Sequence, residues 1–382
     1  MKILLLSWGI PTKKNPQYGC FAMDQAIALK KAGHEVGILS INALVGKEWK
    51  RPGFHHWKQN GVECFELFGL PIGIVDVFIS NTWANLMTKW GAKRIFNKIV
   101  NIFGFPDIVH AHFLPMMIAG AGIKEKYPIT LVGTEHWSKL GNGEISPEIK
   151  KYGDYAYPAV DRLICVSKKL AENVKNNFDK NSVVIHNLFN TDLLKPAINK
   201  TNNENFVISC VGSLIPRKGF DILIKAFAKS KLRKEKVIIN IYGRGGAQDE
   251  LEALIKENGL SGKINLCGQK SKPDLYEALR HSDLFVLSSR LENFSVAMIE
   301  ATGNGLPAVA TLCGGIEEYP VSGVIKIPVE DVDAMKNAIE CAYDRRNEVD
   351  RIAIQKETIE KFSPEAIIAQ VEKVYEEVLK EK

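Results

Sequence analysis

Two doubly wound α/β domains in tandem are the fold this sequence predicts, and three observations carry the expectation. At 382 residues the chain exceeds one ordinary core and fits two domains. Short β-rich apolar runs alternate with helical stretches, the pattern of parallel sheets with helical crossovers. The alternation occurs twice, separated by a polar, aperiodic stretch, LLKPAINKTNNE, at 193–204, which reads as a linker.

The first series opens with KILLLSW as a strand, a Gly/Pro loop through Tyr18 and Gly19, FAMDQAIALKKAG as a helix and HEVGILSI as a strand. Apolar Phe21, Ile27, Ala28 and Ala32 support that helix. Further strands are expected at DIVHAHF (107–113), ITLVGTE (129–135), RLICVS (162–167) and SVVIH (182–186). The second series runs FVISCVGS (strand), LIPRKG (loop), FDILIKAFAKS (helix), KVIINIYG (strand), GAQDELEALIKENGL (helix) and KINLCG (strand). PDLYEALRHS (helix) and DLFVLSS (strand) follow. The final FSPEAIIAQVEKVYEEVLKEK reads as an amphipathic helix capped by Ser363 before Pro364. The domains predicted are 1–195 and 205–362, with the terminal helix at 363–382.

Hydrophobic content of 46% with 25% charged residues is that of a soluble globular protein. No apolar run reaches the ~18 to 20 residues that a spanning helix needs. The opening MKILLLSWGIP reads as a strand without a cleavage site, so no export is expected. Seven scattered cysteines without a C-x-x-C pair suit reduced thiols in a cytoplasmic protein, and argue against a disulfide frame or a zinc site. Residues 1–195 hold 24 Lys and Arg against 16 Asp and Glu, a balance of +8, whereas the remainder holds 26 against 28. A basic first half suits anionic lipid, nucleic acid or a phosphorylated substrate, or is simply a solvated Lys-rich surface.

The chemistry concentrates in the loops of the second series. SSRLENFSVAMIEATGNGLPAVAT places Glu292 and Glu300 eight positions apart between two buried strands. Ser295 can cap a helix running to about Gly303, whose first-turn N–H groups attract phosphate. Carboxylates beside such a site accept sugar hydroxyls, a combination that suits a nucleotide sugar; alternatively, both acids face solvent. VGSLIPRKGFD adds Gly212, Gly219 and the cations Arg217 and Lys218 just before a helix, a phosphate cradle without the P-loop pattern. IYGRGGAQDE supplies a third such turn with Gly243, Arg244, Gly245 and Gly246. Ordinary turn chemistry explains any one of these loops, but all three fall at strand ends within one domain.

The succession VGSLIPRKGFDILIKAF, YGRGG, INLCG, DLFVLSSRLENFSVAMIEATGNGLPAVAT and CGGIEEY resembles the retaining glycosyltransferases of family 4, across essentially the whole chain. The resemblance implies the GT-B fold: two Rossmann-like doubly wound domains facing across a cleft, with the C-terminal helix returning to the first. It implies an acceptor-binding domain at 1–195 and a donor-binding domain at 205–362. The implied activity moves a sugar from a UDP- or GDP-sugar to an acceptor hydroxyl with retention, in cell-surface polysaccharide or glycolipid biosynthesis, with no cofactor and no metal.

The family's Glu–seven residues–Glu motif maps onto Glu292 and Glu300. The resemblance assigns Arg217 and Lys218 to the donor diphosphate, Glu292 to the donor sugar, and Glu300 to the ribose. The amides of Asn293, Phe294 and Ser295 then touch sugar and phosphate, and 264–268 packs around the base. Gly19, Gly212, Gly243, Arg244 and Gly268 lie in loops given to the donor. PITLVGTEHWS is similar to the family's strand-end histidine, so His136 supports the transferred sugar. His110 and His112 share one strand face; with no acidic or Cys-rich partner set, lining the cleft fits them better than holding a metal. The chain departs from the family at NLFN, where Leu188 and Asn190 replace the Gly and Asp of an Asn-Gly-x-Asp sequence, which weakens a role for that loop. Beyond CGGIEEY the following segment is shortened. Phe294 and Ser295 stand in place of a Gly-containing pair, narrowing the donor pocket.

In residues 71–105, Trp83, Trp90, Phe96 and Phe103 alternate with Lys89, Lys93, Arg94 and Lys98. Such a segment lies in a membrane interface, at the inner face of the cell membrane where a lipid-linked sugar acceptor is found, or it forms core helices. Other readings are a sugar-nucleotide epimerase of the same fold, which lacks the spaced Glu pair, and a non-catalytic nucleotide-sugar-binding protein. A glycosidase needs its carboxylates on opposite sides of a sugar, which one strand–helix turn does not provide.

Overall fold

The computed structural model describes residues 1–13, 15, 18–42, 52–69, 81–197 and 205–381, with side chains for all of these except 42 and 81–87. The chain forms two compact units, Met1–Leu188 with Pro364–Lys382, and Phe189–Ser363.

The first unit carries β1 (Lys2–Ser7), α1 (Cys20–Lys31), β2 (Glu35–Asn42), β3 (Gly53–Gln59), β4 (Val62–Phe68), α2 (Asn81–Phe103) and β5 (Ile108–His112). It continues through α3 (Leu114–Lys124), β6 (Leu131–Glu135), α4 (Pro147–Ala159), β7 (Arg162–Cys165), α5 (Lys168–Phe178) and β8 (Val183–Val184). The sheet order is β3-β4-β2-β1-β5-β6-β7-β8. Every pairing is parallel except β3 with β4. β5 and β6 are buried throughout, as strands covered on both faces must be. β3 and β4 are joined by Asn60 and Gly61, both at positive φ (51° and 75°), the two-residue turn whose twist matches an antiparallel hairpin.

The second unit holds β9 (Phe206–Val211), α6 (Phe220–Lys229), β10 (Val237–Tyr242), α7 (Gln248–Glu257), β11 (Ile264–Leu266), α8 (Lys272–Arg280) and β12 (Leu284–Leu287). α9 (Val296–Gly303), β13 (Ala308–Thr311), β14 (Val324–Ile327), α10 (Val332–Asp344) and α11 (Arg351–Phe362) complete it. Its sheet is wholly parallel, in the order β11-β10-β9-β12-β13-β14. The strand order reverses between β9 and β12, and such a switch point leaves a crevice at the carboxyl ends of those two strands. Ile208, Cys210, Ile239, Val286 and Val309 fill the sheet's core beneath Leu223 and Phe227 of α6.

The last helix, α12 (Pro364–Lys380), belongs to the first unit, as the expected return requires. Glu372 meets His34 at 2.7 Å, and the fully buried Tyr375 hydroxyl lies 2.6 Å from His110 Nδ1. Of the expected linker, residues 198–204 lie outside the described residues, whereas the chain from Phe189 to Ala197 joins the second unit. The Ala197 amide donates to Gln355 Oε1 at 2.8 Å there.

In α2, the basic–aromatic segment divides. Phe96 and Phe103 are core residues, while Lys89 and Lys93 pair with Glu125 at 2.6 and 3.2 Å. Trp90 is 56% exposed, with the Arg94 guanidinium 5.1 Å from its ring centre. The side chain of Trp83 lies outside the described residues. Among the described residues no helix is long and apolar enough to cross a membrane.

Candidate functional site

The loops after β9 and β12 meet at the switch point of the second unit, and charge binds them. Glu292 and Glu300 are 7% and 5% exposed, so neither faces solvent as the simpler expectation had it. The Lys218 ammonium bonds to Glu292 Oε1, and Ser289 Oγ donates to the same oxygen at 2.8 Å. A carboxylate this deep is tolerated because a cation and a hydroxyl replace its water. Arg217 lies alongside, its Nη1 donating to the Leu291 carbonyl at 3.0 Å. The Ser288 hydroxyl donates to the Lys218 carbonyl at 2.9 Å.

Arg290 clamps the same two loops. Its amide donates to the Arg217 carbonyl at 2.8 Å, and its guanidinium grips Asp221 through two bonds of 2.9 Å while also meeting Glu330. Burial works to raise the Asp221 carboxyl, and the Arg290 guanidinium overrides it and holds the group below its usual range. Two glycines permit the approach. Gly219 has φ +63°, and a Cβ there would lie 2.0 Å from the Ser288 carbonyl oxygen. Gly314 has φ +57°, and its Cβ would lie 2.0 Å from the Glu292 carbonyl oxygen.

Ser295 caps α9, its Oγ accepting from the Met298 amide at 3.4 Å, and the helix ends at Gly303 as its sequence predicts. Asn293 is buried beside it. Phe294 corrects an expectation: its ring is buried against Tyr319 and Phe362, with centres 5.9 and 5.5 Å away. An apolar ring is more stable among aromatic neighbours than lining a polar loop, so it does not narrow the donor pocket. Glu300, on α9, is paired with Lys272 of α8 at 2.8 Å.

The third turn is knitted to the first by backbone bonds. Leu214 donates to the Arg244 carbonyl at 3.1 Å, and Ala247 donates to the Leu214 carbonyl at 2.9 Å. Gly212 donates to the Tyr242 carbonyl, and Gly243 to the Gly268 carbonyl, both at 3.0 Å. The Arg244 side chain is exposed.

In the first unit, His110, His112 and His136 form a stacked row at the ends of β5 and β6, with ring centres 4.7 and 5.3 Å apart. His136 Nδ1 lies 3.0 Å from Asn187 Oδ1, which accepts, so the proton is on Nδ1. His136 Nε2 is then an acceptor for His112 Nδ1 at 3.1 Å. At the other end of this run of bonds, His112 Nε2 is a buried nitrogen with no hydrogen-bond partner among the described residues. Burial pushes His110 down to about 3 and His136 to about 4, and holds His112 well below its ordinary value, so the row is neutral. Asn187 opens the NLFN loop, which therefore supports His136 despite its departure from the family pattern.

Glu135, beside His136, is fully buried and accepts from the His136 and Trp137 amides at 3.0 and 2.9 Å and from the Tyr157 hydroxyl at 2.9 Å. Burial raises its carboxyl to about 7 against those bonds. Next to the row, Phe113 is held at φ +69°, a conformation costly for a bulky residue and typical of functional sites. Trp8, 43% exposed at the end of β1, meets Phe113 and Trp137 edge-on with both centres 6.4 Å away. Gly19, at φ +73°, lies against Gly9 at the start of α1. Among the described residues no group of three or more His, Cys, Asp or Glu could hold a metal ion.

Sequence reasoning missed Lys272, Arg290, Ser289, Glu135 and Asn187. Glu135 had a readable signal, an acid ending an apolar strand; the others acquire partners only through tertiary packing.

The fold is that of the GT-B glycosyltransferases. The family description "Glycosyltransferase Family 4" matches residues 21–193, and "Glycosyl transferases group 1" matches 192–358. The chain belongs to the family 4 glycosyltransferases. It is similar to an uncharacterized glycosyltransferase of Methanocaldococcus jannaschii, 28% identical over 75% of this chain and 80% of that one. A D-inositol 3-phosphate glycosyltransferase of Mycobacterium sp. is 28% identical over 60% of this chain and 57% of its own. Among solved structures, sucrose-phosphate synthase from Thermosynechococcus elongatus superposes with a TM-score of 0.79 at 16% identity, covering 100% of this chain and 99% of that one. Anabaena HepE in complex with UDP and glucose gives 0.70 at 20% identity, covering 99% of this chain and 100% of that one. Both share the fold.

Two predictions follow from these contacts. Gly219→Ala forces a Cβ into the Ser288 carbonyl, and chemical denaturation should show a loss of at least about 1 kcal/mol. The histidine row sets a pH dependence. Its folded pKa values lie below the unfolded value near 6.5, so its stabilisation is present above that pH and lost as pH falls towards 4. Glu135 opposes this, costing stability as pH rises from its unfolded value to about 7. Three imidazoles outweigh one carboxyl, so urea unfolding should show a net gain from pH 5 to 6.5, and His112→Asn should reduce it.

Proposed function

We propose that the protein is a retaining glycosyltransferase that moves a sugar from a nucleotide diphosphate donor to an acceptor hydroxyl, without a divalent metal. The supporting observation is the convergence of Lys218, Arg217, Glu292 and the capped start of α9 at one switch point. The barrier to transfer is the departure of the nucleotide as an anion while positive character grows on the sugar. Arg217, Lys218 and the first amides of α9, at Ser295 and beyond, stabilise that anion. Glu292 contacts the donor sugar's hydroxyls and Glu300 the ribose, each held in place by a lysine. The loops of Gly212, Gly243, Arg244 and Gly268 and the amides of Asn293 and Phe294 complete the donor site. In the first unit, His136 faces the transferred sugar as a fixed, neutral ring, and the acceptor is a carbohydrate or a lipid-linked sugar, as in cell-surface polysaccharide or glycolipid assembly.

A glycosidase reading fares worse, since Glu292 and Glu300 come from one strand–helix turn and are each paired with a lysine, whereas glycoside hydrolysis needs its two carboxylates on opposite sides of a sugar. The membrane-contact reading draws on one exposed stripe of α2, where Trp90, Arg94, Lys98 and Ile102 recur at four-residue steps.

Arg217→Ala and Lys218→Ala should each cost on the order of 2 to 4 kcal/mol of transition-state stabilisation, read as kcat at saturating donor. Near-full turnover by both variants would remove the assignment, and activity that vanishes in EDTA would remove the metal-free mechanism. In flotation with anionic liposomes at low and high salt, the wild type should bind at low salt only, and Arg94→Glu should abolish it.

A further inference from the structure

We infer that the groove beside the β3–β4 hairpin is a saccharide subsite that takes a pyranose ring of the acceptor. The inference rests on the glycosyl-transfer reading for its place in the reaction, while its chemistry comes from the groove itself. An open groove of about 720 Å³ is lined by Pro11 and Thr12 from the loop after β1 and by His55, Trp57, Gln59 and Glu66 from β3 and β4. That volume lies in the range of roughly 300 to 1,000 Å³ typical of small-molecule sites.

His55, Trp57 and Gln59 alternate along β3 and so share one face, and the antiparallel register sets His55 opposite Glu66 of β4. The Trp57 indole N–H donates to Gln59 Oε1 at 3.3 Å, and Gln59 Nε2 donates to the Pro11 carbonyl at 3.2 Å. This chain occupies the polar edge of the indole and fixes its rotamer. What Trp57 gives the groove is therefore a pinned apolar face, already ordered before anything binds. A pyranose has matching needs: a C–H face that stacks on an aromatic ring, and a girdle of hydroxyls that need partners. The Glu66 carboxylate lines the same groove, and carboxylate oxygens are acceptors of the kind that sugar hydroxyls pair with. His55 adds an imidazole, and Lys13, exposed at the mouth, adds ammonium donors.

The position also suits an acceptor. Pro11 to Lys13 follow the carboxyl end of β1, and Glu66 lies near the carboxyl end of β4. This is the sheet edge on which His112 and His136 stand, so a glycan seated on Trp57 shares that edge with the histidine row.

Saturation-transfer NMR on the full chain tests this with the methyl α-glycosides of glucose, mannose, galactose and N-acetylglucosamine. Ring-proton signals are expected from at least one of them, falling about fivefold or more in Trp57→Ala and returning in Trp57→Phe. Should Trp57→Ala not fold, His55→Ala on the same face should still reduce the signal about threefold. Absence of signal from all four glycosides, or signal that survives these substitutions, overturns the inference. So does a uridine diphosphate signal that Trp57→Ala removes, because the groove would then be a nucleotide site. Calorimetry with UDP- and GDP-sugars separates the two readings: Trp57→Ala should leave donor affinity unchanged, and a wild type that binds no donor defeats the transfer reading while the glycoside signals still report on the groove.

Discussion

The second unit is organised around one buried ion pair, Lys218 with Glu292, whose side chains are 14% and 9% exposed. Neither charge is stable at that depth alone, so the loops after β9 and β12 must come together. Sheet order makes the meeting possible, since β9 and β12 are hydrogen-bonded neighbours although α6, α7 and α8 separate them in sequence. Residue choices nearby follow from the same constraint. Gly219 and Gly314 let backbone approach backbone, Arg290 ties the loop ends, and Ser289 donates to the same Glu292 oxygen that Lys218 holds.

The first unit solves a different electrostatic problem. Around the histidine row its buried polar groups are imidazoles, the Thr134 and Tyr375 hydroxyls and the Glu135 carboxyl, held by directional hydrogen bonds. The row from Asn187 through His136 to His112 fixes each tautomer in turn, because an amide oxygen only accepts.

Much of this was legible in the sequence. The alternation of apolar strands and helices gave both sheets, because parallel strands covered on both faces are apolar throughout. The loops around Arg217, Glu292 and Arg244 were found because turn glycines and cations stand out at strand ends. The β3–β4 hairpin went unread, although Asn60-Gly61 between two β-rich runs is a strong local signal. The partners of the acids were not legible. Lys272 meets Glu300, and Asn187 meets His136, across 28 and 51 positions, and only the folded sheet sets those distances. Nor could spacing show that Phe294 turns inward to Tyr319 and Phe362, since a loop phenylalanine has no periodicity to place it.

The return of α12 to the first unit has a consequence for how the chain is made. On a ribosome, the whole of Phe189–Ser363 emerges before Tyr375, the residue that closes over His110. The second unit is thus complete while the first still lacks a wall, so the histidine row is sealed only after the whole second unit has been made. A fragment ending at Leu188 would leave that row open to water, whereas Phe189–Ser363 is continuous and carries its own core.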